Sequence, residues 1–216
     1  MLIQDLGTLD YRAAWALQER AHEEVLAGGE ERIFLVEHPP VITYGRRPGV
    51  DQNVIASADQ LARMGVDVVP SDRGGDVTFH GPGQLVIYPI IRLADHGLSV
   101  GCYVHSLEAA VIDYLRTLNI EAHSEPKAVG VWVGDAKVCA IGVRIRRGVS
   151  MHGLAINVTT NLDYFQLIVP CGLVGRPVTS LEKLIGQGSP SLEHVKSELS
   201  QALVNRIANA TSLQCG

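Results

Sequence analysis

Between Val129 and Val158 three strand-like segments follow one another with no helix between them: Val129 to Val133, Val138 to Ile145 and Val149 to Val158. Antiparallel strands can be joined by a turn, whereas parallel neighbours need a long crossover, so such a run belongs to hairpins. The middle segment alternates Val138, Ala140 and Gly142 against Cys139, Ile141 and Val143, then ends among Arg144, Arg146 and Arg147; that is the period of a strand. Helical signals lie around this run. The stretch after Asp10 (YRAAWALQERAHEEVLAGG) lacks proline and stops at Gly28 and Gly29. Ser57 with Gln60 forms a capping box for a short helix that Gly65 ends. Ser99 opens an amphipathic helix to Leu118, Thr179 with Glu182 marks another cap, and Ser189-Pro190 begins the last helix. Ile33 to Val36, Val66 to Val69 and Leu85 to Ile91 read as further strands. Helices interspersed with hairpin-like strands, without regular βαβ alternation, predict an α+β fold. We expect a single domain over residues 1–216, with a mixed, largely antiparallel sheet flanked by helices.

Composition narrows the function. The chain has 216 residues, 46% of them hydrophobic and 19% charged, enough to bury a core and incompatible with global disorder. Its 18 basic against 23 acidic residues give −5, with no basic excess for neutralising nucleic-acid phosphates. Cys102, Cys139, Cys171 and Cys215 are scattered, with no Cys-x-x-Cys pair, so neither a disulfide framework nor a zinc site is expected. Asp5 and Asp10 stand where a signal peptide needs positive charge and then an apolar run. No stretch approaches the roughly 20 apolar residues of a membrane helix. These features predict a cytoplasmic protein without membrane or nucleic-acid partners.

The densest chemical signal is RGGDVTFHGPGQLVIYP, Arg73 to Pro89, where Gly74, Gly75, Gly81 and Gly83 surround Arg73 and His80. Glycine lets a ligand approach the backbone closely; the plainer alternative is a turn-rich connection. It is neither a P-loop nor a dinucleotide fingerprint, since no Gly-Lys-Ser/Thr ends it and Val86 holds the third glycine position. Cys171, between Pro170 and Gly172, is a candidate thiol nucleophile, against the usual role of cysteine as a buried apolar residue. Lys137 begins a strand after Gly134-Asp135. It is either a solvated strand end or, beside a thiol, a group that favours the thiolate. Gly97-Leu98-Ser99-Val100-Gly101 mimics a nucleophile elbow, but Ser99 reads better as a helix cap. His22 and His194 are assigned to surface helices, His38 to a loop and His123 to a polar segment, while His152, ahead of Gly153, is placed to line a pocket.

Five stretches together resemble the lipoyl(octanoyl) transferases: HPPVITYGR (His38 to Arg46), RGGDVTFHGPGQLVIYP, KVCAIGVRIRRGVSMHGLAINV (Lys137 to Val158), PCGL (Pro170 to Leu173) and VTSLEKL (Val178 to Leu184). Phe79 departs from the tyrosine expected there. The resemblance implies the fold of lipoate and biotin protein ligases. It also implies octanoyl transfer from octanoyl-acyl carrier protein to a lysine on the lipoyl domains of 2-oxoacid dehydrogenases or the glycine cleavage H protein. By motif, Cys171 would carry the acyl thioester and Lys137 would lower its pKa. The acyl pocket would be lined by Arg73, Gly74, Gly75, Asp76, Val77, Thr78, Phe79, His80, Ala140, Ile141, Gly142, Gly153, Leu154 and Ala155. No cofactor or metal is implied, and a monomer is expected. Cys171-Gly172 or Gly74-Gly75 would supply oxyanion N–H donors, and Arg46-Arg47 or Arg144-Arg146-Arg147 would dock the acidic carrier. The competing readings are an ATP-dependent lipoate or biotin ligase, transfer between lipoyl domains, a silent binding module, and a serine hydrolase built on Ser99.

Overall fold

A computed structural model describes residues 1–126, 128–169 and 176–209. In chain order the strands are β1 (Leu2–Thr8), β2 (Arg32–Glu37), β3 (Val41–Tyr44), β4 (Asp67–Pro70), β5 (Val77–His80), β6 (Gln84–Ile90), β7 (His123–Ser124), β8 (Gly130–Val133), β9 (Ala136–Arg146) and β10 (Val149–Asn157). The helices are α1 (Tyr11–Leu26), α2 (Ala58–Arg63), α3 (Val100–Thr117), α4 (Leu181–Ile185) and α5 (Leu192–Ala208). The fold is α+β. A seven-stranded sheet runs β1-β2-β6-β10-β9-β8-β7, and a three-stranded sheet runs β4-β3-β5. In the large sheet β1 pairs parallel with β2, while the other pairs are antiparallel.

Strand alternation explains the layers. Ile33 and Leu35 of β2, Leu85 and Ile87 of β6, and Leu154 and Ile156 of β10 share a core with α3 and α5. Their neighbours Phe34, Val36, Val86, Tyr88 and Ala155 face the other way and pack with Ala14, Ala21 and Val25 of α1. The small sheet, with Leu61 of α2 and Phe165, builds a third cluster around Ile42, Val77 and Phe79. Both faces of the central strands are therefore covered, and a recess remains where their residues are small.

Several local signals fall as the sequence reads. Ser57 and Ser99 cap α2 and α3 by accepting the N–H groups of Gln60 and Cys102, which makes Ser99 a cap rather than a nucleophile on an elbow. Two caps move. Ser180, not Thr179, caps α4, its hydroxyl accepting the Lys183 N–H at 3.2 Å, while Thr179 extends the pairing with Lys137 through its own N–H. Ser191 caps α5, so Ser189 and Pro190 precede the helix instead of opening it. His22 does lie on a helix with an exposed face, but on its buried side, where Nε2–H donates to the Arg146 carbonyl at 3.0 Å. His194 is exposed. Among the described residues no helix is long and apolar enough to cross a membrane.

Candidate active site

The recess is floored by Ala140 and Gly142 of β9 paired with Ala155 and Gly153 of β10. Ala140 and Ala155 leave a trough where larger residues would fill the space, while at Gly142 and Gly153 the missing Cβ admits the Gly74 and Ile87 carbonyls that shape its walls. The cavity holds about 760 Å³ including its open mouth. Lys137, Ile141 and Leu154 join the lining, as do Arg73, Gly75, Asp76, Val77, Thr78 and His80 from the turn before β5 and from β5 itself. Two residues named from the sequence do not line it. Gly74 donates its N–H to the Val143 carbonyl at 2.9 Å. Phe79 faces the small-sheet core, stacked on Tyr164 with ring centroids 4.6 Å apart. The Gly74 N–H is thus committed to the sheet and is no oxyanion donor.

One end of the cavity is a buried polar network whose donors and acceptors can be followed in order. Arg73 donates from Nη2 to the Thr43 carbonyl (2.8 Å) and hydroxyl (3.1 Å), and from Nη1 to the Gly74 carbonyl (3.1 Å). The Thr43 hydroxyl, its oxygen accepting from Arg73, donates to His80 Nε2 at 3.4 Å. His80 Nδ1–H donates to Gln84 Oε1 at 2.7 Å, and Gln84 Nε2 donates to the Phe79 carbonyl and Asn157 Oδ1. His38 Nδ1–H donates to the Leu9 carbonyl, leaving Nε2 to accept from the Tyr88 hydroxyl at 2.9 Å. Tyr11 stacks on His80 with centroids 5.9 Å apart. His38, assigned to a loop from the sequence, is fully buried here.

Burial disfavours charge on these rings. It lowers the His38 pKa, while His80 and His152 are each pushed down to about 3 by burial, reinforced by neighbouring charge. The unfolded chain titrates near 6.5, so each group contributes stability that is complete above that pH and lost as pH falls toward 3. The slope approaches about 1.4 kcal/mol per pH unit per histidine. Denaturant midpoints are therefore expected to drop from pH 7 to pH 4, and His80→Asn should flatten that dependence, whereas the Asp72 carboxylate 2.7 Å from His152 Nε2 opposes the shift at that ring. An identical slope in the variant would contradict a buried neutral ring.

The other end of the cavity is open: Val129, 44% exposed, lines it beside Lys137. Lys137 is not the solvated strand end of the plainer reading. It is buried, its Nζ donates to the Val129 carbonyl at 3.0 Å, and the amine lies 4.7 Å from the centre of the Trp132 ring. A Cβ at Gly130 would come within 3.2 Å of Lys137 Cε, so glycine leaves room for this side chain to lie along β8. Arg176 stacks on the same indole at 3.7 Å and is held by a two-point pairing with Glu125. Cys171 and Cys215 lie outside the described residues. On either side of Cys171 in the chain, Phe165 and Val178 line the cavity, and the Lys137 N–H donates to the Pro177 carbonyl at 3.0 Å. Cys139 is an interior residue whose thiol is pushed up to about 12 by burial.

Sequence reasoning missed Tyr11, Tyr88, Gln84, Asn157 and Val129 as lining residues. Gln84, Tyr88 and Asn157 lie inside the quoted motifs, which could have marked them, whereas Tyr11 and Val129 lie outside every motif and reach the cavity only through pairing between distant segments. Of the proposed docking arginines, Arg144 is paired with Asp72 and Arg146 with Glu23, while Arg46, Arg47 and Arg147 are exposed.

Fold and family profile define the class first. The chain resembles a solved lipoate-protein ligase A bound with ATP (TM-score 0.78, 17% identity, 98% of this chain and 85% of that one). It also resembles a biotin protein ligase from Aquifex aeolicus in complex with biotin and ATP (TM-score 0.61, 13% identity, 96% and 71%). Residues 10–204 match the family described as the lipoyl protein ligase A/B catalytic domain. Among its relatives, an octanoyltransferase of Solibacter usitatus is 50% identical over 183 residues, 84% of this chain and 82% of that protein. Another, from Chloroflexus aurantiacus, is 44% identical over 218 residues, 99% and 95%. The chain belongs to the lipoyl protein ligase A/B catalytic-domain family and, within it, to the octanoyltransferases; it is an acyltransferase.

Proposed function

We propose that this enzyme moves an octanoyl group from octanoyl-acyl carrier protein to a lysine of a lipoyl domain, through a thioester on Cys171. The observation that carries the reading is the trough itself: floored by glycine and alanine, open beside a buried lysine and closed at its far end. It suits a straight chain that offers only methylenes. Each contributes about 0.8 kcal/mol on burial, so the six of an octanoyl group supply roughly 5 kcal/mol.

The chemistry is a double displacement. The Cys171 thiolate attacks the donor thioester carbonyl and forms a new C–S bond. The carrier thiol leaves and takes up a proton. The neutral amine of the acceptor lysine then attacks the enzyme thioester, the C–S bond breaks as the amide forms, and the proton the amine loses returns Cys171 to a thiol. The first exchange is nearly balanced in energy and the second runs downhill, so neither step calls for a nucleoside triphosphate. Lys137, positioned by the Val129 carbonyl and Trp132, favours the thiolate by its charge. The exposed Arg46 and Arg47 are the surface at which an acidic carrier would dock. In this reading residues 1–216 act as one catalytic domain in the cytoplasm.

Mixing the enzyme with octanoyl-acyl carrier protein and a lipoyl domain, without ATP, is expected to add one octanoyl group to the domain by intact mass. Modification that appears only with free octanoate, ATP and Mg²⁺ would replace this reading with a ligase.

A further inference from the structure

Along β10 the alternation sends Gly153 and Ala155 to the trough face, while Leu154, which also borders the cavity, packs into the opposite core. His152 should therefore face away from the trough, and it does not. Its φ is +57°, and its backbone N–H donates to Gln18 Oε1 at 2.8 Å. Its ring sits on the trough side against Trp15 and Tyr88, with centroids 5.8 and 6.3 Å away. Nε2–H donates to Asp72 Oδ1 at 2.7 Å, and Asp72 is in turn paired with Arg144. The residue that follows is pressed against β6, where a Cβ on Gly153 would lie 2.1 Å from the Ile87 carbonyl oxygen, so only glycine fits beside this excursion.

Such a placement opposes stability in three ways. The backbone is left-handed at a residue that rarely adopts it, an imidazole is buried, and its Nδ1 has no hydrogen-bond partner among the described residues. His22 shares the buried ring and the orphaned Nδ1, and the exposed Asn119 and Arg147 share the positive φ, but among the described residues His152 alone combines all three. Strain and an orphaned polar atom together mark a group positioned for a task.

The geometry indicates the task. The Lys137 side chain lies beside Gly130, which pairs with Ala140, and Ala140 pairs with Ala155. Three residues further along the same ladder, Val143 pairs with His152. At the rise of a strand, three residues span about 10 Å. An extended eight-carbon chain measures about 9 Å from carbonyl to methyl carbon. We propose that the His152 ring is the stop against which the acyl tail is measured, which makes it the specificity-determining residue for chain length, with Asp72 its positioning residue.

This inference rests on the acyl-transfer reading above, and its test separates the two. Initial rates are measured with octanoyl-, decanoyl- and dodecanoyl-carrier donors for the wild type, His152→Gly and His152→Asn. Both replacements tolerate a positive φ and shorten the side chain. The wild type is expected to favour octanoyl over decanoyl by about tenfold or more, the penalty for methylenes a closed pocket cannot seat. His152→Gly should reverse that ratio, His152→Asn should narrow it, and Asp72→Asn should blur it by loosening the ring. An unmoved ratio in variants that still transfer octanoyl would overturn the gauge while leaving acyl transfer intact. Failure of the wild type to transfer any acyl group would overturn the acyl-transfer reading and the gauge with it.

Discussion

Replacing Cys171 by alanine is expected to lower octanoyl transfer by about three orders of magnitude or more and to abolish the acylated enzyme. The size of the effect follows from the two-step scheme. Without the sulfur the acceptor lysine must attack the carrier thioester directly, in a complex where both macromolecules need the same cavity mouth. Fold stability should change little, so the loss is one of chemistry. Measuring single-turnover transfer alongside the denaturant midpoint separates these effects. A Cys171→Ala enzyme that retains more than a tenth of wild-type transfer would assign the chemistry to another group. Neither of the described cysteines is suited to replace it by placement: Cys139 is sealed in the core, and Cys102 lies on α3, away from the cavity lining.

Gly142→Ala should produce the next largest effect, and it acts through the backbone. A Cβ at position 142 would stand 2.7 Å from the Gly74 carbonyl oxygen and 3.3 Å from Arg73 Cδ. On the other side of the same turn, a Cβ at Gly45 would stand 2.4 Å from the Gly75 carbonyl oxygen. The Arg73–Gly75 turn is thus gripped between a glycine of the large sheet and one beside the small sheet. A single methyl on either side displaces it, stretching the bond from the Gly74 N–H to Val143 and the fan of bonds from Arg73 to Thr43. Overpacking of this kind costs about 1–3 kcal/mol, and misplacing the wall of a substrate cavity is expected to lower the rate by about tenfold to a hundredfold. Gly45→Ala should mimic it. Gly101→Ala is the control: it sits on α3 with its nearest contact 3.9 Å away, and alanine there should be neutral or stabilising by up to about 1 kcal/mol. Equal stability and activity in Gly142→Ala and Gly101→Ala would show that the turn does not shape the cavity.

The parts of the fold legible in the sequence were those governed by short-range rules. The meander from β8 to β10 shows in alternation and close spacing, α1 and α3 show in composition and stop signals, and Ser57 and Ser99 show as caps. β1, β3 and β5 did not. Val41 to Tyr44 is four residues long between prolines and a glycine, and Val77 to His80 lies inside a segment whose glycines read as turn. Their identity as strands comes from pairing with each other, as in Ile42 opposite Phe79. The candidate site divides in the same way. Its glycines and Lys137 announced themselves by motif. So did Arg73 and His80, but their company at the closed end did not, because His38, Tyr11 and Tyr88 meet His80 only after β2, β5, β6 and α1 are assembled. Phe79 shows the converse: within the motif, alternation turns it into the core and away from the cavity.

The central claim is that the acyl group rests on Cys171 between donor and acceptor. The most direct measurement isolates the enzyme after brief mixing with octanoyl-acyl carrier protein, maps the modified residue by peptide mass, and then adds a lipoyl domain. The account predicts one octanoyl group on Cys171, released by hydroxylamine and passed to a lysine of the domain within a single turnover. A modified enzyme that does not surrender its octanoyl group to the domain, or transfer that proceeds with Cys171 never acylated, would contradict it.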